Sequence, residues 1–152
     1  MPPVIVWFTD DLRLSDHPAL VAAAQSGAAV LPVYILDDET PGRLRPGGAS
    51  RWWLHGSLAA LDKALHAHGG ALCLRRGRAA SVLSGLLAET GAQGIYATRG
   101  YEPWRPALDR TIEDACASRS AIYRTFPGRL LFEPDEVLTG GGGPYRVFTP
   151  FW

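Results

Sequence analysis

The chain has 152 residues, 47% of them hydrophobic and 20% charged, which suits one globular domain and excludes a disordered or fibrous chain. Fifteen basic residues balance fifteen acidic ones, so no net field draws the chain to nucleic acid or to an anionic membrane. No apolar run nears the ~20 residues needed to span a membrane, no signal peptide opens the chain, and Cys73 and Cys116 read as buried free thiols, so the expected setting is cytoplasmic and without a membrane partner.

Strand-like and helix-like segments alternate along the sequence. PVIVWF (3–8), AVLPVYIL (29–36), ALCLR (71–75), GIYATR (94–99) and AIYRTF (121–126) are mostly continuous apolar runs of the kind that suits strands buried on both faces. After the first run, Ser15 or Asp16 can cap a helix that has Pro18 in its first turn and Gly27 near its end. A second helix, from about Ser50 to His68, puts Leu54, Leu58, Leu61 and Leu65 on one face and stops at Gly69-Gly70. At its start, one of Trp52 and Trp53 is expected to face the sheet. A third helix runs from about Ala79 to Thr90. In a fourth, Trp104, Leu108, Ile112 and Ala115 recur at helical spacing, with Asp109, Arg110, Glu113 and Asp114 facing outward.

This alternation predicts an α/β fold: a five-stranded parallel, doubly wound, Rossmann-like sheet in the order 3-2-1-4-5, with helices on both faces. In such sheets ligands bind beyond the carboxyl ends of the strands, next to the first. The charged stretch WFTDDLRLSD (7–16) stands there. Beyond the fifth strand the pattern fades into Gly- and Pro-rich sequence with at most a helical turn, and the aromatic end FTPFW reads as a piece of a longer chain.

Common chemistries find no support in the motifs. No G-x-G-x-x-G follows the first strand, and the GGGG run is followed by no Gly-Lys-Ser/Thr. Asp10-Asp11 would suit a phosphoacceptor domain, but Leu74-Arg75-Arg76 and Pro127-Gly128-Arg129 stand where its acceptor Asp and its Lys belong. The histidines, His17, His55, His66 and His68, read as solvated polar residues without metal-ligand spacing. No catalytic constellation and no metal set is expected. What remains is a cluster at the carboxyl edge: the loops after strands 1, 2 and 4 bring Asp11, Arg13, Tyr34, Arg51, Glu102 and Trp104 around one crevice. Aromatic faces with a few convergent charges suit a flat heteroaromatic ligand.

Three segments carry a family resemblance. VWFTDDLRLSDHPAL, GGASRWWLHGSLAAL and YRVFTPFW resemble, in order and spacing, the amino-terminal domain of the DNA photolyase/cryptochrome family. The resemblance implies an α/β domain over residues 1–130 and the start of an interdomain linker over 131–152, with the all-helical domain that binds FAD and ultraviolet-damaged DNA lying outside this chain. It implies a full-length deoxyribodipyrimidine photo-lyase that splits pyrimidine dimers with light, this fragment being inactive alone. It also implies a second, antenna chromophore in the α/β domain, either methenyltetrahydrofolate or 8-hydroxy-5-deazaflavin, which passes excitation energy to FAD.

Arg51, Tyr34 and Glu102 match pocket positions of deazaflavin-type members. Trp104 and Arg105 stand where the folate-type pattern has Asn and Glu, and Gly100 stands where deazaflavin types tend to carry an acid. Thr9 and Asp10 replace the family's basic residues, a change expected to weaken the pull on an anionic cofactor tail. The alternatives carried forward are a cryptochrome-like photoreceptor and a generic nucleotide-binding α/β module.

Overall fold

The computed structural model describes residues 1–151. Five parallel strands form one sheet in the order β3-β2-β1-β4-β5. They are β1 (Val4–Phe8), β2 (Val30–Leu36), β3 (Cys73–Arg76), β4 (Gly94–Thr98) and β5 (Ile122–Phe126). The crossovers carry α1 (Pro18–Gln25), α2 (Gly48–Ala67), α3 (Ala79–Thr90) and α4 (Arg105–Ala117). Fold class and strand order are as the alternation predicts. Each strand lies within two residues of its expected limits.

Alternate residues of a strand point to opposite faces, so each central strand feeds two cores. Ile5, Trp7, Val33, Ile35, Ile95 and Ala97 pack with Leu83, Leu86 and Leu87 of α3 and Ile112 and Cys116 of α4. Val4, Val6, Phe8 and Tyr96 pack on the other face with Ala19 and Ala23 of α1 and Leu61 and Leu65 of α2. Burial on both faces holds fully for β1 and β4. At the edges it gives way: Leu74 on β3 is 55% exposed and Ile122 on β5 is 50% exposed, because an edge strand is covered less completely. Helix α3 ends where Gly91 adopts a left-handed φ of 61°, a conformation that costs glycine little.

Three local expectations need correction. Helix α1 is capped by His17 rather than Ser15 or Asp16: its Nδ1 accepts the Leu20 backbone N–H at 3.2 Å. His17 is also fully buried, unlike the exposed His55, His66 and His68. Trp52 and Trp53 are 76% and 72% exposed, so neither faces the sheet. Leu54, the next residue, and Leu58, one turn further on, take the half-buried positions instead. Asp109 does not face outward, because the buried Arg105 binds it across one helical turn.

Residues 127–151 run as irregular chain with one antiparallel bridge, Leu138 to Pro144, and a four-residue helix, α5 (Phe148–Phe151). Trp152, the last residue of FTPFW, lies outside the described residues. No helix among the described residues is long and apolar enough to cross a membrane.

Candidate functional site

The parallel register brings the carboxyl ends of β1, β2 and β4 together: Phe8 lies beside Tyr34, and Trp7 beside Ala97. Just beyond these ends lies a crevice of about 310 Å³. Its aromatic lining is Trp7, Tyr34 and Trp104, and its charged lining includes Asp10, Glu102, Arg105 and Arg129. A second crevice of about 470 Å³ adjoins it, sharing Thr9, Asp10, Tyr34 and Pro46 and reaching Asp11, Arg13 and Trp53.

Trp7 is held from the protein side. The Arg105 guanidinium lies 4.6 Å from the centre of its indole ring, a cation–π contact. Arg105 is 3% exposed, and its Nε donates to Asp109 Oδ1 at 2.7 Å while Nη2 donates to the Tyr123 hydroxyl at 3.2 Å. Tyr123 in turn donates to the same Asp109 oxygen at 2.7 Å. Burial alone would favour neutral arginine, but Tyr123 and Asp109 hold the guanidinium charged. Burial also pushes the Tyr123 hydroxyl well above its ordinary range.

Arg129, from the segment after β5, closes the floor. Its Nη1 donates to Glu102 Oε1 at 2.6 Å, and its Nη2 lies 2.8 Å from Asp10 Oδ2 and donates to Thr9 Oγ1 at 3.0 Å. One guanidinium thus joins the loops after β1, β4 and β5. Burial would raise the Glu102 carboxyl, but the Arg129 bond outweighs it and holds Glu102 below the usual carboxylate range. Thr9 and Asp10 therefore do not leave the site without positive charge. Arg129 supplies it from elsewhere in the chain.

Glu102 Oε2 and Arg129 Nε are buried without a hydrogen-bond partner, on two residues that line the crevice. Buried polar atoms are normally satisfied, so an unmatched acceptor and donor at a crevice fit a ligand with a polar edge. A β-carbon on Gly100 would come within 2.5 Å of Glu102 Oε2 and 2.8 Å of Arg105 Cγ. Its hydrogen side chain is what lets Glu102 and Arg105 sit so close to the backbone.

Behind this wall Asp11 braces the loop. It is 6% exposed, accepts a short hydrogen bond from Thr98 Oγ1, and accepts the Thr9 N–H at 3.2 Å. His17 Nε2 lies 2.8 Å from Asp11 Oδ2, close in distance but without the alignment of a hydrogen bond. Because His17 Nδ1 accepts the Leu20 N–H, the ring proton sits on Nε2, facing the carboxylate. Burial would raise the Asp11 carboxyl, but the contacts with His17, Thr98 and Thr9 prevail and hold it far below the usual range. Strand β1, strand β4 and the start of α1 are thereby fastened at one point.

Of the six residues expected around one crevice, Tyr34, Glu102 and Trp104 share the first, and Asp11 and Arg13 lie with Tyr34 at the second. Arg51 lines neither; its guanidinium is paired with Asp38 at 2.6 Å and its Nε donates to the Pro46 carbonyl at 3.1 Å. Trp7, Arg105 and Arg129 were not expected there. The signal for Arg129 was its place directly after a strand end, on the same edge as the other loops.

Residues 4–152 match the family model described as DNA photolyase. The chain belongs to the DNA photolyase family. Within it, the chain is 48% identical over 150 residues to a deoxyribodipyrimidine photo-lyase of Agrobacterium fabrum, covering 99% of this chain and 31% of that protein. It is 38% identical over 149 residues to cryptochrome-2 of Arabidopsis thaliana, covering 97% of this chain and 24% of that one. Among solved structures, a bacterial class III photolyase from Agrobacterium tumefaciens superposes with a TM-score of 0.89 at 47% identity, over 99% of this chain and 31% of that one. An archaeal photolyase from Sulfolobus tokodaii, described with two FAD molecules and an implied novel light-harvesting cofactor, superposes with a TM-score of 0.84 at 26% identity, over 98% and 33% of the two chains. This photolyase-family chain thus spans about a third of those photolyases. Membership removes the reading as a generic nucleotide-binding module.

Proposed function

We propose that this domain holds an antenna chromophore for a light-driven photolyase and passes its excitation energy to FAD in a carboxy-terminal helical domain of the same protein. The observation that carries the reading is the crevice walled by Trp7, Tyr34 and Trp104, with an unmatched acceptor on Glu102 and an unmatched donor on Arg129. Such a slot takes a flat heteroaromatic ring by stacking and fixes its polar edge by hydrogen bonds. Methenyltetrahydrofolate and 8-hydroxy-5-deazaflavin, the antennas that the family resemblance implies, both have that shape. When bound, the chromophore supplies light absorption and energy transfer.

In this reading Tyr34 and Trp104 flank the ring, Glu102 accepts a ring N–H and Arg129 donates to a ring acceptor. Asp11 and Arg51 act from behind, Asp11 by fixing the loop that carries Thr9 and Asp10, and Arg51 by fixing Asp38 and the Pro46 turn. The chain has no catalytic role of its own. Residues 131–152 begin the interdomain linker, and the exposure of Leu131 (95%) and Phe132 (61%) suits a segment that packs against a further domain. The whole protein would then bind ultraviolet-damaged DNA and split its pyrimidine dimers.

A second reading, a cryptochrome-like photoreceptor without repair, is favoured by the 38% identity to the two Arabidopsis cryptochromes. Illuminating the full-length protein with dimer-containing DNA separates them. Repair is expected, and none from residues 1–152 alone. A flavin- and antenna-loaded protein that repairs nothing would favour the photoreceptor.

A further inference from the structure

Helix α2 buries one face and leaves the other uncovered. Leu61 and Leu65 enter the core, whereas Ala49, Trp52, Gly56, Ala59, Lys63 and His66 are all exposed. Their spacing alternates between three and four residues, the 3.5-residue period that keeps one seam of a helix against a second helix. Trp52 is 76% exposed and Trp53 beside it 72%, although residues 127–151 are in place. Adjacent apolar side chains of that size left open mark an interaction face.

Gly56 has no explanation inside the chain. It lies within the 20-residue helix, where glycine is the least favourable residue after proline. It has no left-handed φ, and a β-carbon there would meet nothing within 4 Å. Neither backbone conformation nor crowding calls for it. A bare backbone at an exposed position does permit the close approach of another backbone. Gly56 and Ala59 form a narrow waist in the seam, with Trp52 on one side of it and Lys63 on the other.

The shape that fits this seam is the same seam reversed. An antiparallel two-fold pairing sets Gly56 opposite Ala59 of a second copy and Trp52 opposite its Lys63. The waist lets the two axes come to about 8 Å, and each Lys63 ammonium then reaches an indole face across the pair. Lys63 is available for this, because Asp62 beside it is engaged by His66 and by the Leu72 amide. Covering the four indoles removes about 600–1,000 Å² from water. With the waist and the lysine stems added, the total reaches the ~1,000 Å² that a specific interface needs.

We infer that α2 is a dimer interface: two copies of the full-length protein pair through antiparallel α2 helices, about a two-fold axis between Gly56 and Ala59. Such an isologous contact closes on itself, so assembly stops at the dimer. The inference goes beyond the antenna reading and stands whether or not a chromophore is bound.

Sedimentation equilibrium of the full-length protein tests it. A monomer–dimer equilibrium with a dissociation constant in the micromolar range is expected. Gly56→Gln fills the waist and should weaken association at least tenfold. At concentrations where the protein is monomeric, the same variant should raise the melting temperature, because glutamine is the better helix former. That opposition separates a lost interface from a damaged fold. Trp52→Ser, at an exposed position, should also weaken association at least tenfold with little change in melting temperature. A protein that stays monomeric at all concentrations overturns the interface, as does a dimer that both variants leave intact. A lower melting temperature in monomeric Gly56→Gln would also overturn it, by showing that the chain's own remaining segments fill the waist.

Discussion

Arg129 Nη1 lies 2.6 Å from Glu102 Oε1, tying the segment after β5 to the loop after β4. The same guanidinium reaches Asp10 after β1, so the crevice is assembled by one side chain from three separate parts of the chain. Removing it takes from Glu102 and Asp10 the guanidinium they share. Arg129→Gln should therefore lower chromophore affinity about tenfold in the full-length protein, read as the fall in antenna absorbance after dialysis. Unchanged occupancy would mean the crevice does not depend on this link.

Asp11 gives a pH-dependent prediction. Its carboxyl is held below the ordinary value in the folded state, so the stabilisation is complete above the unfolded value, near pH 4, and is lost as pH falls further. Asp11→Asn should cost about 2 kcal/mol at neutral pH, through loss of charge-assisted bonds. In urea unfolding the gap between the two proteins should narrow as pH falls from about 4 towards 2. A gap independent of pH would show that the carboxylate charge is not what braces the loop.

Two glycines separate fold from site. A β-carbon on Gly94 would lie 2.8 Å from Ile122 Cγ1 and 2.9 Å from the Ile122 carbonyl oxygen, between β4 and β5 and away from the crevice. Gly94→Ala should destabilise the domain by about 1–3 kcal/mol, since strand backbone must give way. Gly100→Ala should act chiefly on the site by displacing Glu102 and Arg105. Thermal melting and chromophore titration of the pair should show the first losing mainly stability and the second mainly occupancy.

Arg105→Met tests the buried network. It removes the cation from Trp7 and leaves Asp109 and Tyr123 without it, which should cost about 3 kcal/mol in denaturant unfolding. Asp109→Asn retains an acceptor and should cost less. Equal costs would mean that charge plays no part in this network.

Much of this was legible in the sequence, for identifiable reasons. Uninterrupted apolar runs such as VIVWF mark central strands because both faces need burial, and the alternation with helices implies a parallel sheet, with 3-2-1-4-5 one of its common strand orders. That Tyr34, Glu102 and Trp104 line one crevice was legible, because the strand ends before them set their position. Arg129's place just beyond β5 was legible, but its pairing was not, since its partners Glu102 and Asp10 are 27 and 119 residues away and no local pattern records such a contact. His17 was misread because a histidine that caps a helix while facing a buried carboxylate has the same letters around it as a solvated one. Trp52 and Trp53 were misread because helical spacing assigns faces only where a neighbouring element covers them, and here Leu54 and Leu58 take that cover.

The most direct test of the antenna role is the excitation spectrum for flavin photoreduction in the full-length protein. The antenna reading predicts a band beyond those of the flavin, belonging to a second chromophore, and predicts that Trp104→Ala diminishes this band while sparing the flavin bands. A spectrum in the unaltered protein that follows flavin absorption alone would contradict it.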